Sequence, residues 1–340
     1  MMTRRQGLRW LAAAGLAPAL PALAQTAPTT APAGGAPSAA GSGQTRLILL
    51  GTGGGPTPLP DRNQPASVLV VNDTPYIIDA GNGVARQLML AGIGVQRVGR
   101  IFITHHHDDH NADLGTLMGL AWSNGRTEEV HAYGPPGTEG MIRAFVDYFR
   151  PSADLRRAFS GGADDPAALF MGHDIAGPGE VYKDDNIRVT CIENTHYPNG
   201  GVKDGVHYLS YAYRFETPDR AIVFSGDTAE SDALVGLSRG VDVLVHEIVD
   251  PHRTAEQFRR KFAQQGRPAE AAEKLIEKVI AIHTTPEEAG RVAEAAGVGT
   301  LVLNHFVPGY DPAERTEDWT EGVSRHYRGR IVVGADLMEI

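Results

Sequence analysis

Short β-like runs alternating with amphipathic helical patterns predict an α/β fold in which sheet is covered by helices. The alternation continues from about Thr45 with no second linker, and no internal repeat recurs at a fixed period. The 340 residues are 42% hydrophobic and 21% charged, enough apolar material for a full globular core.

The chain opens differently. Thr3-Arg4-Arg5 precedes an apolar stretch over residues 10–20, then Ala22-Leu23-Ala24 before Gln25. A basic start, a short apolar run and an A-x-A-like site predict a secretory signal peptide over 1–24 and a periplasmic or secreted protein. The run is too short to span a bilayer. The paired arginines favour the twin-arginine route, although Gly7 stands where a bulky apolar residue is usual. Residues 25–43, rich in Ala, Pro, Gly, Thr and Ser, read as a flexible linker. One folded domain then occupies 44–340.

Within it, apolar runs at 45–50, 67–71, 75–79, 100–104, 130–133, 187–192, 208–215, 221–224, 241–246, 300–304 and 331–333 predict strands. Helical periodicity appears at 84–91, 138–148, 268–281 and 286–296. In the last, Thr285, Pro286 and Glu288 form a capping box with proline at the first helical position. Propensity alone leaves the topology open.

The strand at 100–104 runs into His105-His106-His107-Asp108-Asp109-His110. Inside this stretch is the pattern His105, His107, Asp109, His110: three imidazoles and a carboxylate within six residues. Burying such groups without partners costs several kcal/mol per charge, and divalent metal ions are their natural partners. Further ligand-type residues stand at other strand ends: His196 after 187–192, Asp227 after 221–224, and His305 after 300–304. Strand ends are where loops gather and sites form. Gly51-Thr52-Gly53-Gly54-Gly55-Pro56 lacks the Lys-Ser/Thr of a nucleotide loop, and its prolines forbid a following helix. It reads as a turn that brings backbone close to the site.

Without residues 1–24 the chain loses Arg4, Arg5 and Arg9, leaving 28 basic groups against 41 acidic, net −13. Such a surface repels polyphosphates, and the expectation is no nucleic-acid partner. The single cysteine, Cys191, excludes an internal disulfide and reads as a buried, inert thiol.

These residues resemble the metallo-β-lactamase superfamily, and within it the ribonuclease Z-like and exported arylsulfatase or phosphodiesterase branch. The likeness rests on Leu50-Gly51-Thr52-Gly53-Gly54, Arg62-Asn63, Ile78-Asp79-Ala80-Gly81, Ile101-Phe102-Ile103-Thr104-His105, Val245-His246-Glu247, His283-Thr284-Thr285 and Leu303-Asn304-His305-Phe306, in that order. It implies a single-domain αββα sandwich carrying two divalent metal ions, most simply Zn²⁺, with Mn²⁺ or Fe²⁺ as alternatives. By the same resemblance His105, His107 and His196 bind one ion, Asp109, His110 and His305 the other, and Asp227 bridges them. Asp109 also steadies a hydroxide shared by the ions, Glu247 and His283 form an acid/base pair, and Asp79 orients a ligand histidine. His106 and His246 are expected to point away from the site. His131, His173, His207, His252 and His326 lack a ligand context, and Asp108 reads as a solvated acid.

For substrate, the interval 197–226 is filled by a short loop and two strands, with no room for the tRNA-gripping arm of true ribonuclease Z. Export and the acidic surface argue the same way. The expectation is therefore a binuclear hydrolase of small anionic esters, aryl sulfate or phosphodiester. A lactonase, a ribonuclease Z-type endonuclease and a non-catalytic metal-binding protein are the alternatives. The segment 148–180 is expected to form a lid or pocket wall, and Trp122, Tyr197 and Phe306 an aromatic leaving-group pocket. No membrane span is expected, and a homodimer remains open.

Overall fold

The computed structural model describes residues 44–160, 164–309 and 315–340. The expected signal peptide (1–24) and linker (25–43) lie outside the described residues, all of which belong to one compact unit, Ala40–Ile340.

The first half contains β1 (Arg46–Gly51), β2 (Ala66–Val71), β3 (Thr74–Ile78), α1 (Val84–Leu90), β4 (Arg100–Phe102), α2 (Asp108–Asn111), α3 (Leu114–Ser123), β5 (Val130–Gly134), α4 (Thr138–Ser160), α5 (Pro166–Leu169) and β6 (Phe170–Asp174). Its six strands pair in the order β1-β2-β3-β4-β5-β6. The β2–β3 turn is set by Asn72 and Asp73, both at positive φ (46° and 64°), the two-residue hairpin geometry that such side chains tolerate. From β3 onward the pairings are parallel.

The second half contains β7 (Gly179–Lys183), β8 (Arg188–Glu193), β9 (Val202–Lys203), β10 (Val206–His207), β11 (Tyr211–Glu216), β12 (Ala221–Phe224), α6 (Asp232–Leu237), β13 (Val243–Val249), α7 (Pro251–Gln264), α8 (Ala269–Ala281), α9 (Pro286–Ala296), β14 (Thr300–Val307), α10 (Thr316–Ser324) and β15 (Arg330–Val333). Seven of these strands form a second sheet, β15-β14-β13-β12-β11-β8-β7, while β9 and β10 pair as a separate hairpin.

The layering follows from the period-2 alternation of strand side chains. In β1, Leu47 and Leu49 turn to the space between the sheets, where Tyr76, Phe102, Tyr213, Phe215 and Phe224 meet them. Ile48 and Leu50 turn the other way, under Leu88, Leu117, Met118 and Ile142 of the first helical layer. Beyond the second sheet, Leu244, Leu301 and Leu303 pack on Leu234, Val292, Ala293, Trp319 and Val323. Strands buried on both faces must be apolar at nearly every position, which is why they read as unbroken runs. The result is the expected αββα sandwich.

Three differences from the sequence reading have physical causes. The helix expected to stop near 148 continues to Ser160 through Pro151. The lost backbone bond there is offset by continued packing, with Ala153 buried against the first core. Segment 148–180 is not a lid: its described residues complete α4, form α5, and supply the edge strands β6 and β7. Helix α7 was missed because so few of its positions are apolar. Asp250 caps it by accepting from the Arg253 N–H, and α8 buries its narrow face through Ala255, Phe262, Ala272 and Ile276. No helix among the described residues is long and apolar enough to cross a membrane.

Candidate active site

The site lies where both sheets deliver their strand ends. After β3, the backbone turns at Asp79 (φ 59°), whose carboxylate accepts from the Thr104 N–H at 2.8 Å and the Thr104 hydroxyl. Asp79 also bonds His110 Nδ1 at 2.9 Å. That bond fixes the His110 ring and turns its other nitrogen inward, as expected of an orienting carboxylate. The chain after β4 carries His105 and His107, while Asp109 and His110 project from the single turn of α2. His196 follows β8, Asp227 follows β12, Glu247 lies within β13, and His305 lies within β14 at positive φ (45°). His283 follows α8 directly before α9.

All seven residues expected to hold metal come together in two groups. His105, His107, His196 and Asp227 form one; Asp109, His110 and His305 form the other. In the first, His107 Nδ1 lies 3.0 Å from both His105 Nε2 and His196 Nε2. Between the groups, Asp227 reaches His110 at 3.2 Å with one oxygen and His305 at 3.2 Å with the other. His107 is the solvent-facing member; the other six are buried.

Charge explains what such a cluster wants. Burial pushes His105 well below its ordinary pKa, with the neighbouring His110 adding to the effect. Burial lowers His196 to about 3 and also lowers His107. These rings are neutral and present lone pairs inward. His110 goes up despite its burial, because Asp227, Asp109 and Asp79 outweigh desolvation. Asp109 and Asp227 resist the upward push of burial and drop below the usual carboxylate range, drawn down by His110 and His305. Buried His110 Nε2 and Asp227 Oδ1 face each other at 3.2 Å, without the geometry of a hydrogen bond. The neutral rings of His105, His107 and His196, converging beside the buried carboxylates of Asp109 and Asp227, fit divalent metal ions.

His283 also closes a third, overlapping group with Asp227 and His305; its Nδ1 lies 3.0 Å from Glu247 Oε1, which also accepts from the Thr228 and Thr284 N–H groups. Burial opposes a charge on His283, but Glu247 outweighs it and lifts the pKa to about 9. The ring is thus protonated at neutral pH. The glycine turn approaches as expected: the Gly55 N–H donates to Asp109 at 2.9 Å, and Gly54 donates to the Phe306 carbonyl at 3.0 Å. A Cβ on Gly54 would sit 2.7 Å from the His305 ring.

His106 bonds the Pro135 carbonyl, away from the cluster. His246 is buried outside both groups, with Nδ1 on the Glu247 carbonyl. Cys191 is buried and free, its thiol pushed up to about 11 by burial. The aromatic pocket needs correction. Trp122 packs edge-on against Phe149 in the first helical layer, and Phe306 is fully buried under Arg62 and Trp319. Only Tyr197 borders the site, with its ring 5.6 Å from that of His107. Sequence reasoning missed Asp336, which steadies the glycine turn by accepting from the Thr52 and Asn63 N–H groups. An isolated aspartate near the end of the chain carries no sequence signal for that role.

The family model described as "Beta-lactamase superfamily domain" matches residues 74–306. The chain belongs to that family. Ribonuclease Z of Mycobacterium bovis (strain BCG / Pasteur 1173P2) is 28% identical over 297 residues, covering 86% of this chain and 97% of that protein. Ribonuclease Z of Mycolicibacterium paratuberculosis (strain ATCC BAA-968 / K-10) is 27% identical with the same coverage. Among solved structures, the metallo-beta-lactamase fold protein YhfI from Bacillus subtilis matches with a TM-score of 0.62 at 16% identity, covering 87% of this chain and 98% of that one. The short form of human tRNase Z matches with a TM-score of 0.58 at 20% identity and the same coverage. The enzyme is a metal-dependent hydrolase.

The expectation of a small anionic ester as substrate and of no nucleic-acid partner is overturned by the relatives named ribonuclease Z, aligned over nearly their whole length. The physical error was to read the partner from net charge. That quantity averages over the whole surface, whereas a substrate meets the local field at the site. The interval 197–226 was also misread, since it holds a hairpin, β9–β10, where a short loop was expected.

Proposed function

We propose that this chain is a phosphodiester hydrolase that cleaves RNA with the help of two divalent ions. The observation that carries this reading is the pair of ligand groups joined through Asp227, with the Glu247–His283 pair beside them. Full-length similarity to proteins named ribonuclease Z supports the substrate class. His105, His107 and His196 would hold one ion, Asp109, His110 and His305 the other, and Asp227 both. Imidazole and carboxylate donors suit zinc, with manganese or iron(II) as alternatives. Such a pair, when bound, supplies a nucleophile at neutral pH and neutralises charge building on the phosphoryl oxygens.

The chain's own residues supply the rest. Asp79 keeps His110 in one tautomer, with its inner nitrogen free. Asp109, steadied by the Gly55 N–H, accepts a hydrogen bond from the attacking water. Glu247 keeps His283 charged through Nδ1, leaving Nε2 to protonate the departing oxygen. A ribose alkoxide is a poor leaving group and needs that proton.

The test is to incubate the full chain, loaded with zinc, with a single-stranded RNA oligonucleotide and a precursor tRNA, and to map the new ends. Chelator-sensitive internal cleavage is expected, together with two ions per chain by elemental analysis. Asp227→Ala should lose both ions and the cleavage, whereas His105→Ala should mainly weaken one ion. Absence of RNA cleavage with zinc, manganese and iron(II) alike would remove the reading.

A further inference from the structure

A cleft of about 630 Å³ opens from the solvent side of His107, walled by Tyr197, the β9–β10 hairpin, Tyr208 and Lys278 of α8. The hairpin is a built feature. Asp204 and Gly205 turn it at positive φ (51° and 79°). Gly201 (φ 72°) packs against the Tyr208 carbonyl, to which a side chain there would come too close. The Tyr208 N–H donates to the Gly201 carbonyl at 2.9 Å, and His207 ties β10 to Glu193 at 2.9 Å.

What this hairpin displays is unusual for an acidic protein. Val202, Val206 and Tyr208 are each about half exposed, so apolar and aromatic surface stands at the mouth of the site. The sequence has only five lysines, and two of them, Lys203 and Lys278, line this one cleft, with no carboxylate among its lining residues. Lys274, one turn before Lys278, pairs with Glu270 at 2.7 Å, whereas Lys203 and Lys278 pair with no carboxylate among the described residues. An aromatic face beside two unpaired ammonium groups matches single-stranded RNA, which offers a base to stack and phosphates to neutralise.

We infer that the cleft between the β9–β10 hairpin and α8 is the subsite for the nucleotides flanking the scissile phosphate, with Tyr208 stacking a base and Lys203 and Lys278 contacting the strand's phosphates. The inference rests on the RNA reading above and adds where the strand lies and which residues grip it. His107 borders both the cleft and the first ligand group, so a strand seated here runs directly into the reacting centre.

The experiment compares the zinc-loaded wild type with Lys203→Ala/Lys278→Ala and Tyr208→Ala on an RNA oligonucleotide and on bis(p-nitrophenyl) phosphate. All three side chains are exposed, and melting curves check that the variants fold. KM for RNA should rise about tenfold or more in the double variant, with kcat nearly kept. The slope of log affinity against log salt should shrink by roughly 0.7 for each phosphate that the removed ammonium groups had neutralised. Tyr208→Ala should weaken RNA binding roughly 5- to 100-fold, the usual worth of one base–aromatic stack. The small diester, too short to fill the cleft, should change far less. If the wild type cleaves RNA and the variants do so with unchanged KM and salt slope, the subsite is wrong and the RNA reading stands. Equal losses on both substrates also overturn the subsite, by showing a structural effect. A wild type that neither binds nor cleaves RNA overturns both.

Discussion

His283 shows how one residue's surroundings set its task. A buried imidazole is ordinarily neutral, yet the bond to Glu247 lifts this one to about 9, so the proton is held until a stronger base appears. His283→Ala should keep both ions, because its Nδ1 is engaged by Glu247 and the seven other residues remain, and should lower kcat by roughly 10²–10⁴ on RNA, whose leaving group is an alkoxide. The loss should be small on bis(p-nitrophenyl) phosphate, since nitrophenolate leaves without a proton. Equal losses on the two substrates would make His283 a positioning residue instead. The types and spacing of the seven clustered residues were legible in sequence, because histidines and aspartates at several strand ends have few structural uses. The pairing of Glu247 with His283 was legible only through family resemblance. Lys203, Tyr208 and Lys278 could not be read at all: exposed lysines and tyrosines are common, and only the folded hairpin makes these face one cleft.

At the scale of elements, strands buried on both faces were the most legible, since their apolar runs leave little choice. Edge strands β6 and β7 were not, because His173, Asp174, Glu180 and Lys183 interrupt them. The place of β7 is set instead by a polar knot at its far end. The Asp184 carboxylate accepts from the Tyr76 hydroxyl at 2.7 Å, the Tyr182 hydroxyl at 2.8 Å and the Asn186 and Ile187 N–H groups at 2.8 Å. It thereby ties β3 of the first sheet to the β7–β8 turn of the second. Burial alone would raise the Asp184 pKa, but these four donors outweigh it and hold it below the usual carboxylate range. A depressed folded-state pKa gives stability that is present above the unfolded value, near 4, and lost as pH falls through the folded one. Asp184→Ala should therefore cost about 1–3 kcal/mol at pH 7, the usual worth of stranding such donors. The gap from wild type, read by urea titration, should narrow steadily below about pH 4. A gap independent of pH would show that the carboxylate's charge contributes nothing there.

For the whole molecule, the two sheets bring the strand ends of both halves to one edge, and neither half alone carries the full set of clustered residues. His105 and Asp227 come from different sheets, so the site requires the complete sandwich. That requirement bears on how the protein would leave the cytoplasm. We propose that residues 1–24 are an export signal, on the evidence of Arg4-Arg5, the apolar stretch and Ala22-Leu23-Ala24. A chain that must fold as one unit to bind its ions suits the twin-arginine route, which carries folded proteins. Purified from its native source, the mature protein should begin near Gln25 and fractionate outside the cytoplasm. Arg4→Lys with Arg5→Lys should hold a full-length, folded, metal-loaded precursor inside the cell. Export that survives this double change would assign the chain to the general secretory route, and an intact Met1 start on protein confined to the cytosol would exclude export. In the exported case the RNA it meets is extracytoplasmic, and the proposed grip by stacking and phosphate charge, which tolerates any base, suits so mixed a substrate.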